Sequence, residues 1–232
     1  MINIRYFNCD ILKDEDLYNE LVKRLPRWRQ AKIERIKPPG AKRLSAGAGF
    51  LLEYAIKEQK ITGGVPEIRS GGKPFLKNCE AFKFNLSHSE NIAMIAYTSD
   101  KSVSALGCDI EKIKQCDIKI AERFFHYKET EFIKNALSDK TDEAFYNVWT
   151  LKESFLKATG DGMSGGLDFE GLPLTCTGRH YKGSFVDDNK EYLFYGMRPI
   201  KTFVSALCVE GKTLTDNNII IVSSEVSLNS QL

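Results

Sequence analysis

The chain has 232 residues, 42% of them hydrophobic, with 33 Lys and Arg against 31 Asp and Glu. Such a composition excludes a disordered chain and allows one large domain or two small ones. A formal net charge of +2 singles out no partner by bulk electrostatics. The distribution of charge says more: residues 1–105 hold 18 Lys and Arg against 12 Asp and Glu, and residues 106–232 hold 15 against 19.

In chain order, Ile2–Asn8 reads as a strand and 14–36 as a helical region ended by Pro38-Pro39-Gly40. Within it Lys23, Arg24, Arg27, Arg29, Lys32, Arg35 and Lys37, with Lys42 and Arg43 beyond, face a single acid, Glu34. That stretch suits an anionic ligand or a solvated helix face. An amphipathic helix follows over 41–59, stopped by Gly63-Gly64. Short strands come next at 67–69, 74–76, 83–87 and 92–97, with a turn at Gly71-Gly72, and then a strand at 103–111.

The second half repeats this order loosely. Helices are expected at 118–125, 129–135 and 142–159, the last ending at Gly160, followed by strands at 181–186, 192–197, 202–209 and 218–223. The pattern predicts an α+β fold of two similar halves, 1–105 and 106–232, with small, mainly antiparallel sheets packed on helices and a cleft between them. The six cysteines form no Cys-x-x-Cys pair and read as reduced, buried thiols. The N-terminus has no signal-peptide layout and the longest apolar runs are strand-length, so a cytoplasmic protein with no membrane span is expected.

Three segments carry chemistry. Gly107-Cys108-Asp109-Ile110-Glu111 ends an apolar strand. Side chains at i and i+2 share a face, so Asp109 and Glu111 point one way and Cys108 and Ile110 point into the core. Paired carboxylates suit a hard divalent cation such as magnesium; they also suit a solvated strand end. In the helix from Phe145 to Lys157, Glu153 and Lys157 lie one turn apart on a face shared with Trp149. Finally, Phe84-Asn85-Leu86-Ser87-His88-Ser89 joins a strand to a turn. Adjacent Ser87 and His88 diverge on an extended chain, so they are no nucleophile–base pair; each can bond a phosphate. Gly72-Lys73-Pro74 forms a tight turn where backbone can approach a ligand. No Walker-A loop, Rossmann fingerprint, Gly-x-Ser-x-Gly elbow or His-Glu-x-x-His occurs.

Together these three segments, in this order and spacing, resemble the Sfp-type 4'-phosphopantetheinyl transferases, the match running over about residues 70–165. The resemblance implies an enzyme that moves the phosphopantetheine arm of coenzyme A to a serine of an acyl, aryl or peptidyl carrier protein, releasing 3',5'-ADP. It implies that Asp109, Glu111 and Glu153 hold Mg2+, that Glu153 is the general base and that Lys157 steadies the leaving phosphate. It also implies that Arg29, Lys32 and Arg43 bind the 3'-phosphate, that Ser87 and His88 grip phosphates with Asp109 beside them, and that Lys73 and Pro74 pack by the adenine. A monomer needing no nucleic acid is expected. Cys108 stands where the family has Ile or Val, and the loop after Gly160 carries an extra acid and extra glycines. Two other readings use the same residues: a magnesium-dependent nucleotide phosphohydrolase, which needs no carrier, and a nucleic-acid-binding module built on the basic stretch, which leaves the acids without a role.

Overall fold

The structure, a computed structural model, describes residues 1–69, 72–160, 175–177, 180–187, 190–211 and 219–228. Gly71 and the glycine-rich segment after Gly160 lie outside them. The first strand, β1 (Ile2–Asn8), is buried along nearly its whole length. Three helices follow: α1 (Glu15–Arg24), α2 (Arg27–Glu34) and α3 (Pro39–Glu58). The single helical region expected over 14–36 is therefore two helices. Pro26 cannot supply an amide proton inside a helix, and it becomes the N-cap of α2. Likewise Pro38 and Pro39 start α3 rather than stop its predecessor: Pro39 occupies the first turn, where a missing N–H costs nothing.

A hairpin, β2 (Val65–Ile68) with β3 (Pro74–Lys77), leads into β4 (Lys83–Ser89) and β5 (Ile92–Thr98). Next come β6 (Ala105–Lys112) and the helices α4 (Ile118–Phe124), α5 (Tyr127–Lys134) and α6 (Thr141–Thr159). The chain closes with β7 (Thr175–Thr177), β8 (His180–Asp187), β9 (Lys190–Ile200), β10 (Phe203–Glu210) and β11 (Ile221–Glu225). Two sheets result. One has the order β11-β1-β5-β4, antiparallel except where β11 runs parallel to β1; the other, β6-β10-β9-β8-β7, is antiparallel throughout. The architecture is α+β, with small, mainly antiparallel sheets against six helices among the described residues. No helix among them is long and apolar enough to cross a membrane.

Alternation along β1 divides the core. Phe7 faces α3 and packs with Phe50, Leu51 and Ala55. Ile2, Ile4 and Tyr6 face the second sheet and share one cluster with Leu106, Cys108, Ile110, Leu207 and Val209. Each such fully buried Ile or Leu contributes about 1.5–3 kcal/mol. A third cluster joins α6 to the other face of that sheet through Val148, Leu151, Phe155, Phe194 and Ala206. Residues on both sides of position 105 thus pack in one core. Cys108 and Ile110 are fully buried, as their alternation with Asp109 and Glu111 demands.

What positions the site is the close approach of α6 to β6. A Cβ on Gly107 would stand 2.1 Å from Ser154 O and 2.3 Å from Ala158 N, so only glycine lets the helix backbone lie there. Gly160 then ends α6 in the left-handed conformation at φ 85°, a backbone geometry glycine adopts without strain. Gly107→Ala should therefore cost about 3 kcal/mol of stability or more, read as a lower urea midpoint; an unchanged midpoint would mean that α6 does not lie against β6 in this way.

Candidate active site

Strand β4 lies alongside β6 although the two belong to different sheets. Its alternate residues join them. Asn85 Oδ1 accepts from Cys108 N at 2.9 Å, Ser87 donates to Asp109 Oδ1 at 2.7 Å, and Ser89 donates to Glu111 Oε2 at 2.7 Å while accepting from Lys112 N at 3.2 Å. Three polar side chains at i, i+2 and i+4 on one face of β4 thus stitch the sheets together and orient both acids of β6.

From α6, Lys157 Nζ donates to Asp109 Oδ1 at 2.6 Å and to Ser87 Oγ at 3.0 Å. Asp109 is 3% exposed, so this ammonium is the charge that allows a buried carboxylate there. Burial works against the charged form of Lys157, but the neighbouring Asp109 charge and hydrogen bond outweigh it and raise its pKa. One turn earlier on α6 stands half-buried Glu153. Burial and the Asp109 charge push its pKa above the ordinary carboxylate range, against the pull of Lys157. Glu111 is raised by burial and by the charges of Asp109 and Glu153, against the Ser89 hydrogen bond and Lys157. The three acids therefore feel one another's charge, and the Lys157 ammonium acts on all three.

Two acid oxygens stand out: among the described residues, Asp109 Oδ2 and Glu153 Oε1 are buried with no hydrogen-bond donor. Among the described residues no three His, Cys, Asp or Glu side chains form a ready-made metal cage. Yet two orphaned carboxylate oxygens beside a third acid are the donor set that a hard, oxygen-seeking cation takes, and magnesium commonly uses only one or two carboxylates with phosphate oxygens. These residues fit it.

His88 projects from β4 on the other face from Ser87 and Ser89. Partial desolvation lowers its pKa, and so do the nearby charges of Lys157 and Lys32, with Asp109 opposing. Lys32 on α2 is thus brought near His88, and Arg29 near Lys32, whose pKa falls by desolvation and by the Arg29 charge. Arg29 is 4% exposed and its Nε finds no acceptor; its guanidinium lies over Trp28 at 4.6 Å. Burial lowers its pKa, offset in part by Glu53 of α3. A buried, under-bonded guanidinium beside a lysine and a histidine is a place for an anion.

The structure thus brings together Ser87, His88, Asp109, Glu111, Glu153 and Lys157, with Lys32 and Arg29 following through His88. Arg43 lines a groove of about 310 Å³ with Leu12, Lys13, Tyr18 and Lys42. Lys73 turns its ammonium inward, donating to Leu106 O at 2.8 Å and Ala158 O at 2.9 Å, and burial together with Arg69 pushes its pKa down to about 8. Pro74 opens β3 beside it. Sequence reasoning missed Asn85 and Ser89, although their spacing about Ser87 shows the period of a strand face. It also missed the pair Lys152–Glu129, at 2.8 Å and essentially without exposure, which ties α5 under α6 beside Glu153. Nothing in the sequence marks Glu129 as its partner.

Because Glu153 has a raised pKa in the fold, its ionisation costs stability as pH rises through and above the ordinary carboxylate range. Glu153→Gln should therefore raise the melting temperature by a few degrees at neutral pH and leave it unchanged at pH 3; thermal melts at both pH values check this, and destabilisation at neutral pH would contradict it.

Comparison with known proteins points the same way. Residues 105–199 match the family profile of the 4'-phosphopantetheinyl transferase superfamily. The chain is 36% identical over 114 residues to the 4'-phosphopantetheinyl transferase psf-1 of Bacillus pumilus, covering 49% of this chain and 46% of that protein. It is 31% identical over 153 residues to the 4'-phosphopantetheinyl transferase gsp of Aneurinibacillus migulanus, covering 65% and 62%. It is 38% identical over 99 residues to the 4'-phosphopantetheinyl transferase Sfp of Bacillus subtilis (strain 168), covering 42% of each. The chain spans about half the length of most of the curated relatives it matches. The stretch similar to that superfamily, residues 105–199, carries Asp109, Glu111, Glu153 and Lys157.

Proposed function

We propose that this protein transfers the 4'-phosphopantetheine arm of coenzyme A to a serine hydroxyl of an apo carrier protein and releases 3',5'-ADP. One observation carries the reading. Three carboxylates lie within one another's field around a single lysine, two of their oxygens are buried without a donor, and all stand in the region matched to that superfamily. A site so charged repels an anionic diphosphate by itself, and magnesium, when bound, offsets that repulsion and the charge that develops on the phosphates.

Asp109, Glu111 and Glu153 would hold the metal, Asp109 Oδ2 and Glu153 Oε1 being the oxygens free to do so. Glu153 is also suited to take the proton of the carrier serine, since its raised pKa moves it toward the range of a general base. The serine oxygen then bonds the β-phosphorus of coenzyme A as the bond from that phosphorus to the bridging oxygen breaks, leaving the new charge on 3',5'-ADP. Lys157, a positively charged donor beside Asp109, steadies that leaving phosphate. Its own anchor is Ser87, whose hydroxyl is committed to Asp109; His88 remains for a phosphate oxygen. Arg29 and Lys32 suit the 3'-phosphate, Arg43 would join them only from its own groove with Lys13 and Lys42, and Pro74 with the Lys73 backbone suits the adenine. In this reading the chain acts as a cytoplasmic monomer on coenzyme A and a carrier, needing neither nucleic acid nor membrane.

Incubation with coenzyme A, magnesium and an apo-carrier should add one phosphopantetheine arm to the carrier, seen by intact-mass spectrometry. Hydrolysis of coenzyme A without that gain would instead favour the phosphohydrolase. Asp109→Ala and Glu153→Ala should each lower kcat at least about a hundredfold, and full activity in either would remove that residue from the reaction. Arg29→Met should weaken coenzyme A about tenfold and dephospho-coenzyme A hardly at all; equal losses would count against a 3'-phosphate contact.

A further inference from the structure

Lys73 stands in the loop that closes the β2–β3 hairpin, yet its ammonium leaves the hairpin. It reaches two carbonyls on two other elements: Leu106 O of β6 and Ala158 O of α6. These carbonyls flank the close approach of α6 to Gly107. Leu106 precedes Gly107, whose missing Cβ admits the α6 backbone, and Ala158 follows Lys157, the partner of Asp109. Ala158 O also belongs to the last turn of α6, where carbonyls have no partner within the helix and the macrodipole favours a cation. Gly160 lies directly beside the Lys73 stem; a Cβ there would be 3.9 Å from Lys73 Cδ.

We infer that Lys73 is a positioning residue: its ammonium clamps β6 to the C-terminal turn of α6 and thereby holds Lys157 on Asp109. The inference rests on the proposed transferase reading for its effect on rate, but not for the clamp itself. A ligand contact at the adenine would use the face of the hairpin and leave those two carbonyls to other donors. Here the side chain is half-buried and both carbonyls accept from it. Without the ammonium, the last turn of α6 keeps the Gly107 contact but loses the bond that fixes its distance from β6. A displacement of Lys157 of about 1 Å would be enough to cost a hundredfold in rate. The hairpin gains a second role as well: it reports its own position to the reacting groups through one side chain.

The test compares wild type, Lys73→Met and Lys73→Arg by amide hydrogen exchange and by transfer kinetics. Lys73→Met should speed exchange over residues 155–160 and lower kcat about tenfold to a hundredfold, with KM for coenzyme A within about twofold. Lys73→Arg, which keeps the charge and two donors, should recover most of both. Unchanged exchange in Lys73→Met overturns the clamp. So does faster exchange with an unchanged kcat, which would make Lys73 structural only, or a raised KM with an unchanged kcat, which would make it an adenine contact. If Lys73→Met does not fold, Lys73→Gln carries the same comparison, with an expected drop of roughly threefold; wild-type exchange and kcat in that variant would overturn the proposal. Absence of transfer in wild type would instead contradict the transferase reading and leave the exchange measurement to decide the clamp.

Discussion

Bare backbone at Gly107 lets α6 lie against β6 with no side chain between them, and the whole site follows from that contact. At an ordinary helix–strand distance Lys157 would end short of Asp109, and a carboxylate that is 3% exposed would have no counter-charge. Breaking a buried pair of this kind costs about 3–5 kcal/mol. Gly107, Asp109 and Lys157 therefore act as one unit: the glycine sets the distance, the acid sets the charge and the lysine makes the burial tolerable. The side chains of β4 complete it from the opposite side, since Ser87 bonds both Asp109 and Lys157 and Ser89 fixes Glu111.

The resulting site carries unresolved charge. Glu111 and Glu153 are pushed toward protonation by burial and by the Asp109 charge, against the pull of Lys157. A structural ion-pair network would satisfy its oxygens; this one leaves Asp109 Oδ2 and Glu153 Oε1 bare. The basic groups show the complementary excess. Arg29 is buried with its Nε unbonded, and Lys32 and His88 are depressed by burial and then by neighbouring positive charge. Acid oxygens without a donor, with a basic group nearby whose Nε lacks an acceptor, are the groups that the proposed metal and polyphosphate would use. They are a poor description of a nucleic-acid-binding face, which would present its cations outward.

Much of this was legible in the residues, for reasons that differ by element. Period two placed Asp109 and Glu111 on one side of β6 with Cys108 and Ile110 in the core, because a strand allows no other arrangement. Helical spacing put Glu153 and Lys157 together on α6. Prolines were legible as breaks but not as to which side of the break they served: Pro26 split the expected 14–36 helix, and Pro39 began α3. Contacts between distant segments were not legible. Ser87 reads equally well as a phosphate donor or as the partner of Asp109, and only the side-by-side course of β4 and β6 separates the two. Lys152 looks like one more exposed lysine until Glu129 is seen beneath it. Lys73 sits in a motif that suggests a ligand, while its ammonium points to the carbonyls of Leu106 and Ala158.

The central claim is that the acids of β6 and α6 accept a diphosphate only through a shared divalent cation. Calorimetric titration of coenzyme A into the wild-type protein, once with magnesium and once with a chelator, tests it without any carrier. Binding at least about tenfold tighter with magnesium is the predicted result. Equal affinity under both conditions would contradict the account, because three carboxylates would then meet two phosphates with no cation needed between them.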